Sequence, residues 1–155
     1  MVRLSDLPDY EREHVLAKNL PPLGPPVFSR PSKPLSELRI ALITTAGLHF
    51  RDDPGFEFTD ATFRPIPGEE DAEQLIMSHS SVNFDRSGFI EDVNIVFPIE
   101  RFRELAARSV IGSLASVHYS FMGAGLMPAA YEQAASQVAG MLKQDLVDAV
   151  FLTPV

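Results

Sequence analysis

An α/β domain built on a mostly parallel sheet is the fold this sequence predicts, and three features predict it. Leu38–Thr44 is an apolar, β-branched run that ends in the hydroxyl-rich glycine turn Thr44-Thr45-Ala46-Gly47. A stretch of helical period from Pro128 to Leu142 separates Leu114–Ser120 from the run Val147–Leu152, which makes a βαβ unit. That last run is almost unbroken in apolar residues, as a parallel strand covered on both faces requires. The expectation is a three-layer, flavodoxin- or Rossmann-like domain with its working groups beyond the carboxyl ends of the strands.

Size and charge narrow the function. A chain of 155 residues can bury one real core. Its net charge of -8 and pI near 4.9 argue against nucleic-acid binding, because phosphates are neutralised by clustered Lys and Arg. With no cysteine, the sequence holds no disulfide, thiolate metal site or cysteine nucleophile. No apolar stretch is long enough for a membrane span, and Met1–Asp6 lacks the apolar centre of a signal peptide, so a cytoplasmic protein is expected.

Residues 1–37 read as a proline-rich arm and 38–155 as the α/β domain. Seven prolines (Pro8, Pro21, Pro22, Pro25, Pro26, Pro31 and Pro34) rule out regular sheet or a long helix in the arm. One short helix fits between Tyr10 and Leu20, with Asp9 as its cap. Arg51–Pro67 is irregular around the Asp52-Asp53-Pro54-Gly55 turn, ending in the extended Thr62–Pro67. An acidic first turn predicts a short helix over Glu69–Met77. Asn83–Asn94 reads as a loop, its acids too sparse for a calcium site. Ile95-Val96-Phe97 is expected as a strand, leading through Pro98 to a helix whose Ile99, Phe102, Leu105, Ala106 and Val110 share one face and which Gly112 closes.

Candidate polar groups gather where strands end. Alternation places His118 and Ser120 on one side of their strand and Tyr119 on the other. His118 is the candidate catalytic group, a proton donor, with a hydrogen-bonded core histidine as the alternative. A serine and a histidine two apart do not make a dyad, and no third group is assignable. Thr44 and Thr45 offer hydroxyls to a ligand, or simply build a turn. Arg64 suits a bidentate contact to a carboxylate, or is a surface cation. Four histidines without paired spacing predict no metal site. Gly123-Ala124-Gly125 lacks the third glycine of a dinucleotide fingerprint and the Gly-Lys-Ser/Thr ending of a P-loop.

Several strings occur together and in order: Ala41–Leu48, Phe63–Pro67, Asp92–Ile99, His118-Tyr119-Ser120-Phe121-Met122-Gly123 and Leu142–Pro154. From about Leu38 onward the sequence resembles the selenoprotein B family of glycine, sarcosine, betaine and D-proline reductases. The resemblance implies a component of a multi-subunit complex that reduces the C–N bond of a small amine or amino acid. It also implies a selenocysteine, or a cysteine in its place, in a loop expected just beyond Val155; this chain itself carries no such cofactor residue. In that picture Thr44, Thr45, Arg64, Tyr119 and Ser120 bind substrate and His118 protonates the leaving amine. Two explanations stay open: a reading frame ended at a selenocysteine-type stop codon, or a naturally short module. The rival function is a non-catalytic subunit that binds other subunits of the complex, and a homo-oligomer is expected in either case.

Overall fold

A computed structural model describes residues 3–17, 24–25, 29–81 and 86–155. Its centre is strand β1 (Arg39–Thr44), flanked on both sides by parallel neighbours. On one side lies β7 (Ala149–Thr153), in register from Ile40↔Ala149 to Thr44↔Thr153. On the other lie β5 (Ser113–Leu114) and β6 (Val117–Phe121), two pieces of one broken strand. Strand β3 (Phe63–Pro67) closes that side antiparallel to β6, so the sheet is mixed although mostly parallel.

Each face of the sheet has its own cover. Helix α4 (Glu132–Gln144) packs Ala134 and Val138 against Tyr119 and Phe121. The opposite face buries Leu42 with Val96, Phe97 and Ile99, where Ile99 opens helix α3 (Ile99–Ala107). A small antiparallel pair joins this core: β2 (Leu48–Phe50) with β4 (Leu75–Met77). In the arm, α1 (Asp9–Leu16) buries none of its residues and is preceded by Pro8, not Asp9, at the cap. Leu20, Pro21, Pro22 and Pro26 lie outside the described residues, as do the first residues of the Asn83–Asn94 loop.

Several expectations change. Glu69–Met77 is not a helix: Ala72–Gln74 makes one 3-10 turn, and Leu75–Met77 goes extended because Leu48–Phe50 offers it a partner. Ile95–Phe97 is not a strand. Val93–Ile95 is a 3-10 turn whose successors Val96 and Phe97 are buried in the core, so the apolar run marks burial and not extension. The loop before it carries a short helix, α2 (Ser87–Glu91). Helix α3 is closed by Ser109 at φ 56, not by Gly112. Gly112 instead serves close approach, since a Cβ there would lie 2.5 Å from the Glu37 carbonyl carbon. Finally, β7 is not covered on both faces. Among the described residues it pairs only with β1, and Val150 is 39%, Phe151 43% and Leu152 65% exposed.

Candidate functional site

The break between β5 and β6 explains the fate of His118. Ile40 pairs with Leu114 but Ile43 with Tyr119, so two extra residues are spent opposite β1. The backbone N–H of Leu42, left without a ladder partner, donates to His118 Nδ1 at 3.0 Å. Since Nδ1 accepts, the neutral ring carries its proton on Nε2, an atom buried without a hydrogen-bond partner among the described residues. Burial, reinforced by the Arg103 charge, pushes the His118 pKa down to about 4, so the ring is neutral at pH 7. Phe97 meets it edge-on at 5.9 Å.

Ser120 and Thr44 do related work on the same buried face. The Leu48 N–H donates to Ser120 Oγ at 2.7 Å, which hangs β2 from β6. Thr44 Oγ1 donates to the Val96 carbonyl at 2.8 Å and accepts the Ala46 N–H at 3.2 Å. Thr153, level with Thr44 in the sheet, buries its hydroxyl without a partner among the described residues.

Arg64 is committed elsewhere. Its Nε donates to the Pro54 carbonyl at 2.7 Å, Nη1 to Thr62 Oγ1 and the Phe63 carbonyl, and Nη2 to the Gly55 carbonyl and Asp60 Oδ2. Those contacts use every N–H that a guanidinium has. The cation also stacks over Phe56 at 4.3 Å. Burial pushes the Asp60 carboxyl upward, but bonds from Thr62 and Arg64 outweigh it and hold its pKa low. Arg64 therefore staples the 54–62 loop to β3 and has no donor left for a substrate carboxylate.

Thr45 occupies a different position, at the carboxyl ends of β1, β6 and β7. Its N–H donates to the Thr153 carbonyl at 3.2 Å, and its carbonyl accepts the Gly123 N–H at 2.9 Å. Its Oγ1 accepts the Val155 N–H at 2.8 Å and reaches the Val155 carbonyl at 3.4 Å. Gly123 is required here, because a Cβ would sit 2.6 Å from that of Thr45. Beside this clasp opens a cleft of ≈ 470 Å³ between sheet and α4, walled by Ile43, Phe121, Tyr131 and Val138. Tyr131 donates its hydroxyl to the Met122 carbonyl at 2.6 Å, leaving Thr45 as the polar atom at the mouth. Tyr119 lies behind the cleft, edge-on to Phe63 at 5.6 Å, and burial raises its pKa.

The six candidates thus divide. Thr45 meets the cleft and Tyr119 backs it. Thr44, His118 and Ser120 gather on the opposite face, and Arg64 belongs to the loop. Thr45 and Gly123, just past strand ends, line the cleft, while its walls from Phe121, Tyr131 and Val138 read in the sequence only as core periodicity. The cleft can enclose an apolar group; its two side-chain hydroxyls, on Thr45 and Tyr131, are bonded to Val155 and to the Met122 carbonyl, and none of its walls is an acid or a base.

Comparison with known proteins gives this geometry its context. The family described as Glycine/sarcosine/betaine reductase selenoprotein B matches residues 20–155. The chain belongs to that family. Among its relatives, D-proline reductase subunit gamma of Acetoanaerobium sticklandii is 35% identical over 136 residues, covering 86% of this chain and 55% of its own length. Betaine reductase complex component B subunit beta of Peptoclostridium acidaminophilum is 29% identical over 130 residues, or 81% of this chain and 30% of that protein. Glycine reductase complex component B subunit gamma of Symbiobacterium thermophilum is 32% identical over 136 residues, or 85% and 30%. The chain spans about half the length of the first relative and under a third of the other two. No solved structure matches it. Among the described residues no helix is long and apolar enough to cross a membrane, and no acid or histidine cluster could hold a metal.

Proposed function

We propose that this selenoprotein B-family chain is the substrate-binding part of a cytoplasmic reductase component that cleaves the C–N bond of a small amine or amino acid. Residues 38–155 would be the reductase-like unit, of flavodoxin- or Rossmann-like kind, and residues 1–37 its arm. The clasp between Thr45 and Val155 beside the apolar cleft carries the reading. A selenocysteine or cysteine following Val155 would supply a soft chalcogenolate nucleophile that is readily reoxidised.

The chain's own residues bind and orient. Thr45 fixes the direction of the backbone at Val155 and lines the cleft with a hydroxyl that is bonded to Val155. Ile43, Phe121 and Val138 give an apolar wall to a volume within the usual range for small-molecule sites. Those walls favour a ring or N-methyl substrate over glycine. Tyr119 supports the wall from behind. Thr44, Ser120, Arg64 and His118 act by holding the sheet end and its loop in shape.

The test is binding of D-proline, betaine, sarcosine and glycine to the purified chain by calorimetry. Saturable binding near roughly 1 mM, lost in Ala139→Phe at the cleft mouth, is expected. No binding of any of the four sinks the reading. The 155-residue chain alone should release no product, and measurable reductive cleavage by it would overturn the assignment of the chemistry to a residue beyond Val155. A second reading, a non-catalytic subunit that only binds partners, is favoured by the exposed apolar edge at β7 and predicts that none of the four amines binds.

A further inference from the structure

The end of the sheet away from the cleft, where β1 begins and β5 breaks from β6, holds another cavity, of ≈ 390 Å³. Arg39, Arg103 and Glu69 stand in its wall, and Ala106 and Leu114 give it an apolar side. The two cations differ. Arg39 is paired with Asp145 at 2.6 Å and gives Nε to the Asp145 carbonyl, which leaves Nη1 with one long contact of 3.4 Å to Ser113 Oγ. Arg103 has no carboxylate within ion-pair distance among the described residues. Its Nη2 donates to the Gly68 and Glu70 carbonyls at 2.6 and 2.7 Å. Two of the five N–H groups of a guanidinium thus fix its plane, and the other three are unbonded. Behind the same wall His118 Nε2, the buried donor without a partner, lies 3.4 Å from where a Cβ on Gly68 would stand. Donors without acceptors gather around this one cavity.

We propose that this cavity binds a small, free organic carboxylate. The charged end meets Arg103, Arg39 Nη1 and the Ser113 hydroxyl are further donors, and the hydrocarbon end turns to Ala106 and Leu114. Arg103 supplies the one uncompensated positive charge, because Asp145 already neutralises Arg39. Glu69 in the same wall opposes an anion, and opposes a dianion twice as strongly, so a carboxylate is favoured over a phosphate. The apolar side rewards a hydrocarbon part that an inorganic anion lacks. The two carbonyls that hold Arg103 set the guanidinium in place before the ligand arrives, which lowers the ordering cost of binding. Long-range attraction contributes nothing, since the chain's net charge of -8 repels anions, and affinity rests on these short contacts. The cavity shares no lining residue with the cleft, so the proposal is independent of whether the cleft binds an amine.

Titration of the full 155-residue chain with sodium propionate at constant ionic strength, followed by NMR, tests it. The Arg103 Nε–H resonance should move saturably, with a Kd on the order of 1 mM. Propionamide, the neutral isostere, should leave it in place. Arg103→Lys keeps the charge but loses the planar donor set, and should weaken binding at least about tenfold. Glu69 is exposed, and Glu69→Gln removes the opposing charge; binding should tighten about threefold, a gain that a merely structural arginine would not give. Circular dichroism verifies the fold of each variant, and the Glu69→Gln arm decides the matter where Arg103→Lys does not fold. Ala139→Phe, which closes the cleft, should leave propionate binding unchanged and so separates the two sites. An unmoved Arg103 resonance, propionamide or phosphate binding as tightly as propionate, native affinity in a folded Arg103→Lys chain, no gain in Glu69→Gln, or loss of binding in Ala139→Phe each overturns the proposal.

Discussion

Strands β6 and β7 lie on either side of β1, are equally long, and reverse what their composition suggests. Val117–Phe121 carries a histidine, a tyrosine and a serine and is buried from His118 onward, whereas Ala149–Thr153 is apolar and half open to solvent. Position in the sheet, and not hydropathy, decides which is inside. In β6 two polar side chains survive burial by accepting backbone N–H groups: His118 that of Leu42, which the broken strand leaves unpaired, and Ser120 that of Leu48 in the neighbouring β2. In β7 no such deficit exists on the β1 side, and among the described residues β1 is its only partner strand.

If polar side chains in β6 act as backbone substitutes, their removal should be costly. His118→Ala leaves the Leu42 N–H unpaired and opens a cavity under Phe97; a loss of about 4 kcal/mol in urea unfolding is expected. The same side chain should make stability depend on pH. Its folded pKa, about 4, lies below the unfolded value of 6.5, so the unfolded chain takes up the proton first. Stability is therefore complete above about pH 6.5 and lost as pH falls toward 4, by roughly 3 kcal/mol in all. The window is distinct from that of Asp145. Burial pushes that carboxyl up, yet bonds from Arg39 and Ser116 hold its pKa below 3.8, so its contribution is lost only at lower pH. A flat profile between pH 6.5 and 4.5 would refute the buried neutral ring.

Smaller effects follow. Ser120→Ala should cost about 2 kcal/mol, measured in the same unfolding assay, because the Leu48 N–H is buried with it. Thr45→Val should cost about 1 kcal/mol and speed amide exchange at Val155, whose N–H it holds. On β7, Leu152→Ser should change the stability of the monomer by less than about 0.5 kcal/mol. A cost there as large as that at Ser120 would mean that the two strands are not opposites after all.

Much of this fold was legible. Strands β1 and β7 announce themselves by apolar runs, and α3 and α4 by their period, while the expected Leu114–Ser120 strand is broken into β5 and β6. What escaped depends on distant partners. Leu48–Phe50 and Leu75–Met77 are three residues each and are extended only because they find one another. Val96 and Phe97 are as apolar as any strand yet fill the core from a turn. Arg64 reads as a free clamp until folding brings Pro54, Gly55 and Asp60 round it. His118 was visible as a special residue, but a two-residue slip between β5 and β6 that assigns its nitrogen to Leu42 leaves no mark in a single sequence.

The tight seat of Gly123 against Thr45 has a consequence for how selectivity can evolve. Any side chain at 123 collides with Thr45, and Thr45 in turn ties down three strand ends, so the sheet side of the cleft tolerates little variation. Ala135 and Ala139 on α4 are small and solvent-accessible, and they line the other side. Family members that prefer different amines should therefore diverge along the helix while leaving the strand termini alone.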